Sequence, residues 1–69
     1  FKDAAELAAL PERIEAAERQ RDSIYSSLSD PAFLRDGAGV VDARKRLAET
    51  EAELERLMAR WEELEIASG

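Results

Sequence analysis

Two long runs of this chain place mostly apolar residues at alternating spacings of three and four, and a short break separates the runs. This spacing is typical of the a and d positions of coiled-coil helices. The surrounding residues are mainly Ala, Glu, Leu and Arg, which favour helix. The positions that form this predicted seam are Leu7, Leu10, Ile14, Ala17, Arg21, Ile24 and Leu28 before the break, and Ala43, Leu47, Thr50, Leu54, Leu57, Trp61 and Leu64 after it.

A connection of about a dozen residues makes two consecutive helices antiparallel neighbours. If Leu28 faces Ala43, the same register brings Leu10 opposite Trp61. Every layer between the helices is then apolar except the one that pairs Arg21 with Thr50. The sequence therefore predicts an all-α fold, an antiparallel two-helix coiled-coil hairpin about 30–40 Å long.

Proline and glycine mark the boundaries of the predicted elements. Pro11 suits the first turn of a helix, so we expect a short or kinked helical segment before it. Gly37 and Gly39 are expected to allow positive φ at the tip, where Asp36 or Asp42 would favour the next helix N-terminus. The chain is one domain with expected segments 1–10 (short helix or linker), 11–29 (helix 1), 30–39 (tip loop) and 40–67 (helix 2).

The composition argues against several kinds of site. The chain has 69 residues, no Cys and no His, so thiolate metal ligands, imidazole ligands and the commonest general base are missing. No nucleophile–base pair is visible, so we expect no catalytic residue, metal or cofactor in this segment. No apolar run approaches the length of a membrane span. The absence of Cys fits an intracellular protein. The start at Phe1 rather than Met favours a fragment or a processed piece of a longer protein.

Charge is distributed unevenly along the chain, whose net charge is -6. Residues 19–46 carry a net charge of +2, whereas residues 1–18 carry -3 and residues 47–69 carry -5. A local basic cluster can contact phosphate even when the whole surface is acidic. The candidate nucleic-acid contacts are Arg35, Arg44, Lys45, Arg46 and Arg19. Glu15–Arg19 and Asp42–Arg46 have the spacing of i,i+4 ion pairs.

A purely structural role is the competing hypothesis. Phe1, Trp61 and Ile66 lie near the same end of the predicted rod and are candidates for docking onto a protein partner. The hairpin is then a protein–protein module without nucleic-acid binding, and it is either a monomer or weakly self-associating.

Three segments resemble the C-terminal domain of Uup-type ABC-F ATP-binding cassette proteins. They are "FKDAAELAALPERIEAAE", "LSDPAFLRD" and "RLAETEAELERLMARWEELE". The most specific elements are Leu10-Pro11 with Ile14-Glu15, Asp30-Pro31, and the closing segment 60–65. The resemblance implies a bacterial, cytoplasmic ATPase that binds ATP and magnesium in cassettes outside this segment. It also implies DNA or the ribosome as partners, beside the protein's own cassettes. The C-terminal arm of valyl-tRNA synthetases, a tRNA-binding hairpin, is a weaker resemblance.

Overall fold

The computed structural model describes residues 2–68, with side chains described for residues 3–68. Three helices follow one another, and the described part contains no strand. Helix α1 spans Lys2–Leu28, α2 spans Pro31–Leu34 and α3 spans Gly37–Ser68. The long helices α1 and α3 pack against each other as an antiparallel pair, and the described residues measure 49 × 15 × 15 Å. The predicted all-α hairpin is confirmed, although the rod is longer than the expected 30–40 Å because α3 alone has 32 residues.

The seam buries the apolar stripe of each long helix. Leu10 is almost completely buried, with 1% of its surface exposed. Burial recurs at the predicted three- and four-residue spacing, which is the signature of one packed face per helix. The other buried seam residues are Ala17, Ile24, Ala43, Thr50, Leu54, Leu57 and Leu64, while Leu7, Ile14, Arg21, Leu28 and Leu47 are half-buried.

Trp61 differs from its neighbours in the seam. Its side chain is 36% exposed and lies at the edge of the seam beside Pro11 and Ile14. An indole ring is too large to share a layer with the fully buried Leu10, so it turns outward. Trp61 therefore covers one side of the core rather than filling it.

The two polar residues of the seam, Arg21 and Thr50, find their hydrogen-bond partners within their own helices and do not bond to each other. Thr50 is buried, and its hydroxyl Oγ1 donates a hydrogen bond to the carbonyl oxygen of Arg46 at 2.8 Å. Arg21 packs its stem at the seam while its guanidinium reaches Asp22 on the surface, with Nη2 at 3.1 Å from Oδ1. The layer accordingly carries no unpaired buried polar side-chain atom among the described residues.

Helix α1 continues through Pro11, so the expected segment boundary between residues 10 and 11 is absent. A proline inside a helix removes one backbone hydrogen bond and costs about 3 kcal/mol. Contacts on both sides of Pro11 offset that cost, because Leu7, Leu10 and Ile14 all belong to one apolar cluster with α3. Tertiary packing thus determines the helix bounds more strongly than the local preference of proline.

Leu10 is the residue on which the seam most depends. Replacing Leu10 by Ala should lower the free energy of unfolding by about 2–5 kcal/mol, which is comparable to the whole stability of a domain of this size. Urea unfolding followed by circular dichroism measures the change. The matched control is Ile66→Ala, at an 80% exposed position, which should change stability by less than about 0.5 kcal/mol. Equal effects of the two substitutions would contradict the proposed core.

Candidate nucleic-acid interface

The tip of the hairpin is built by two aspartate caps. Asp30 caps α2, since its Oδ1 accepts a hydrogen bond from the backbone N–H of Ala32 at 3.0 Å, and Pro31 occupies the first helical turn. Asp36 caps α3 in the same way, accepting from the N–H of Gly39 at 3.1 Å. The segment expected to be a loop therefore contains a short helix and the first turn of α3.

Gly39 serves close approach rather than positive φ. No glycine in the described residues has a positive φ, which corrects the expectation for Gly37 and Gly39. A Cβ atom at Gly39 would lie 2.6 Å from Oδ2 of Asp36. A side chain at this position would therefore displace the carboxylate that caps α3.

Five predicted cationic contacts lie in the tip half and on the adjoining part of α1. Arg35 caps the C-terminus of α2, the basic triplet 44–46 lies two turns into α3, and Arg19 lies in α1. All five side chains are exposed, and none forms an ion pair within the described part of the chain. The expected pairs Glu15–Arg19 and Asp42–Arg46 are not formed, so the carboxylates leave these guanidinium groups free.

The triplet does not converge on one point. Successive residues of a helix are separated by 100°, so Arg44, Lys45 and Arg46 fan over about 200° of the surface of α3. Arg46 lines a shallow groove of about 210 Å³ together with Gln20 and Thr50. This arrangement suits contact with several separated phosphates along a backbone, and it does not form a pocket for one small anion.

A strong ion-pair cluster lies at the opposite end of the rod, which we call the base. Arg60 of α3 contacts Glu6 of α1 through two hydrogen bonds, from Nε to Oε2 at 2.9 Å and from Nη2 to Oε1 at 3.0 Å. Its Nη1 donates to Glu63 at 3.0 Å, and Asp3 lies 3.8 Å from Nη2. The bidentate geometry fixes the register of the two helices at the base.

Sequence reasoning did not identify this cluster. The a and d pattern shows only which residues face the seam, whereas Glu6 and Arg60 occupy the flanking g positions when Leu7 is taken as position a. In coiled coils the e and g residues form interhelical ion pairs. The sequence feature that could have revealed the pair is the opposite charge of Glu6 and Arg60 at the g positions of the predicted register.

The ion pair shifts the titration of both partners. Hydrogen bonding to Arg60 holds the pKa of Glu6 below its ordinary value of 4.5. The carboxylates of Glu6 and Glu63 raise the pKa of Arg60, so this cation stays charged. Arg60 is consequently a structural cation, and it is not available to an external ligand in the way that the tip residues are.

The predicted docking residues are only partly brought together. Trp61 lines an apolar groove of about 390 Å³ with Pro11, Ile14 and Met58. Ile66 is 80% exposed and does not line this groove. Phe1 lies outside the described residues.

Among the side chains that the structure describes, no three His, Cys, Asp or Glu residues are grouped as a metal ion would require. Within residues 2–68, every helix falls short of the apolar stretch that a bilayer crossing requires.

The chain matches a known protein family. Residues 1–65 match the family described as "ABC transporter C-terminal domain". The sequence is similar to an "ATP-binding protein Uup-like" of Haemophilus influenzae, with 42% identity over 66 residues, which is 94% of this chain. It is equally similar to an "ATP-binding protein Uup" of the same organism, again with 42% identity over 94% of this chain.

The chain spans only a small part of these relatives, 14% of the length of the first and 10% of the second. No solved structure matches the chain. The matches confirm the resemblance to the C-terminal domain of Uup-type ABC-F proteins and favour it over the resemblance to a synthetase arm.

The Glu6–Arg60 pair predicts a pH-dependent stability. A carboxylate whose pKa is lowered by folding stabilises the fold fully above its unfolded pKa, and loses this effect as pH falls through the folded pKa. Glu6→Gln should therefore lower the melting temperature at neutral pH. The difference from the unsubstituted chain should shrink below pH 4.5 and vanish below the folded pKa.

Thermal unfolding of both chains across this pH range measures the effect, with Glu12→Gln as the control. Glu12 is exposed and forms no ion pair within the described part. A melting-temperature difference that is absent at neutral pH, or that grows as the pH falls, would contradict this assignment.

Proposed function

The chain belongs to the ABC transporter C-terminal domain family, and from that premise we propose that its basic tip half contacts nucleic-acid phosphates while the domain itself catalyses no reaction. The single observation that carries the proposal is the set of exposed, unpaired cations at one end of an otherwise acidic rod. The domain is then an accessory arm of a larger ATPase.

The difference in net charge between the two ends of the rod supports this role. Residues 35–46 hold four cations against Asp36 and Asp42, which is a net charge of +2, within a chain of net charge -6. The triplet 44–46 lies seven to nine residues after the start of α3, or about 10–14 Å along the helix axis. A polyanion is attracted to this end and repelled by the acidic base, so the electrostatic field of the domain orients its tip toward the polyanion.

The expected mode of binding is contact with the backbone rather than with the bases. Duplex DNA carries one negative charge per about 1.7 Å of axis, so cations that fan around a narrow helix meet several phosphates. Aromatic stacking, which single-strand binders use, requires exposed rings beside the cations. Of the two aromatic residues in the tip half, Phe33 is half-buried, and Tyr25 is 46% exposed but its hydroxyl donates to Glu51 at 3.3 Å, so no array of rings flanks the cations. We therefore propose weak, salt-sensitive binding with little sequence preference, to DNA or to ribosomal RNA.

The names of the two relatives support a proposal about the whole protein. Both curated relatives are named ATP-binding proteins, so we propose that ATP and magnesium are bound in cassettes outside these residues. In this proposal the protein is a bacterial cytoplasmic ATPase. The hairpin supports those cassettes and brings a phosphate-binding tip to the target of the enzyme.

A pair of charge-matched variants tests the nucleic-acid contact. Arg44→Ala with Lys45→Ala should weaken binding to a short DNA duplex, and the slope of log affinity against log salt should fall by up to about 2. The control, Arg13→Ala with Arg56→Ala, removes the same charge from the base half and should change affinity less. Fluorescence anisotropy with duplex DNA and with a structured RNA, at low and near-physiological salt, measures both variants.

Circular dichroism verifies that all variants keep the fold, which is expected since alanine favours helix and these four side chains are exposed. Equal losses for the tip and base variants would show that only net charge matters and would contradict a tip contact. An absence of binding even at low salt would leave the hairpin as a protein-docking module.

A further inference from the structure

An apolar groove opens on one long side of the rod near the base. Its walls are Pro11 and Ile14 from α1, and Met58, Trp61 and Glu62 from α3, and its volume is about 390 Å³. Met58 is 46% exposed and Trp61 is 36% exposed. Two large apolar side chains beside a ready-formed groove are typical of a helix-in-groove or peptide interaction site.

The two long sides of the rod differ in their ion pairs. The side with the g positions carries Arg60 with Glu6 and Glu63, and Arg56 with Glu53 at 2.7 Å. The groove lies on the other side, where the e and b positions of both helices meet. On the base half of that side the described charged residues are all carboxylates without an ion-pair partner, namely Glu15, Glu18, Glu55, Glu62 and Glu65.

We propose that this groove binds a cationic amphipathic segment supplied by the part of the same polypeptide that precedes the domain. Apolar side chains of that segment fill the space between Pro11 and Trp61, and its Lys or Arg residues pair with Glu62 and the flanking carboxylates. The inference rests on the proposed role as an accessory domain of a longer protein.

Charge decides against a second copy of the chain as the occupant. Two copies joined through this side would bring five unpaired carboxylates of one against those of the other. Like charges placed across an interface cost several kcal/mol. A cationic partner instead gains from the same field.

Connectivity favours a tethered occupant. The relatives extend far beyond the matched region, which covers 14% and 10% of their lengths, and the family is described as a C-terminal domain. The preceding chain therefore joins at the base, where α1 begins and the groove lies. A tethered segment at an effective concentration of about 1 mM and with a dissociation constant of about 0.3 mM occupies the groove in about three-quarters of molecules.

Hydroxyl-radical footprinting of the intact parent protein, compared with the 69-residue chain alone, tests the proposal. Mass spectrometry reads oxidation at Met58 and Trp61, with Ile66 as an exposed reference outside the groove. Occupancy of about three-quarters slows oxidation of both groove residues about fourfold in the parent. Equal oxidation in the two proteins would overturn the proposal.

Glu62→Lys in the parent should restore most of the oxidation at Met58 and Trp61. Glu12→Lys makes the same charge change at an exposed position on the outer face of α1, outside the groove, and should leave the protection intact. Protection that survives Glu62→Lys would overturn the cationic chemistry of the occupant. Protection that disappears on dilution of the parent would overturn the tethered source and indicate a second molecule.

The footprinting experiment and the nucleic-acid binding experiment can succeed or fail independently of each other. The variant Arg44→Ala with Lys45→Ala should lose affinity for duplex DNA while Met58 and Trp61 remain protected. If the chain binds no nucleic acid and the protection is still present, the docking inference stands without the tip contact. If binding is present and protection is absent, only the docking inference fails.

Discussion

The structure depends on one constraint, the antiparallel register in which α1 and α3 bury a common stripe. Leu10, in the base half of that stripe, is almost fully buried, and the bidentate bond between Glu6 and Arg60 holds the same register at the base. A shift of one heptad would remove that pair and misalign the buried layers. Everything else about the rod, including which charges share a side and which lie at the tip, follows from this alignment.

Because the register is fixed, charge is sorted in two directions. Along the rod, exposed cations collect at the tip and carboxylates at the base. Around the rod, carboxylates on one side are paired with Arg60, whereas the groove side keeps unpaired carboxylates beside Met58 and Trp61. A narrow hairpin in this way carries both proposed binding surfaces, one for a polyanion and one for a cationic segment.

Sequence patterns predicted the hairpin, its seam and the exposed tip cations, because heptad spacing reports directly on which face is buried. They left open a separate short helix or a kinked extension before Pro11, and the structure has one helix running through that residue, since packing of Leu7 and Ile14 outweighs the local cost of proline. They assigned Trp61 to the core, but side-chain size turns the ring outward. The Arg60 cluster and the groove depend on residues flanking the seam, whose partners become evident only when the three-dimensional register is known.

The central claim is that the tip, and not the rod as a whole, meets nucleic acid. Chemical-shift mapping of an isotope-labelled chain titrated with a short DNA duplex tests it most directly. The account predicts that the largest amide shifts cluster around Arg35 and residues 44–46, with weaker shifts near Arg19 and unchanged signals around Glu6 and Arg60. Shifts centred on the base, or spread evenly along both helices, would contradict it.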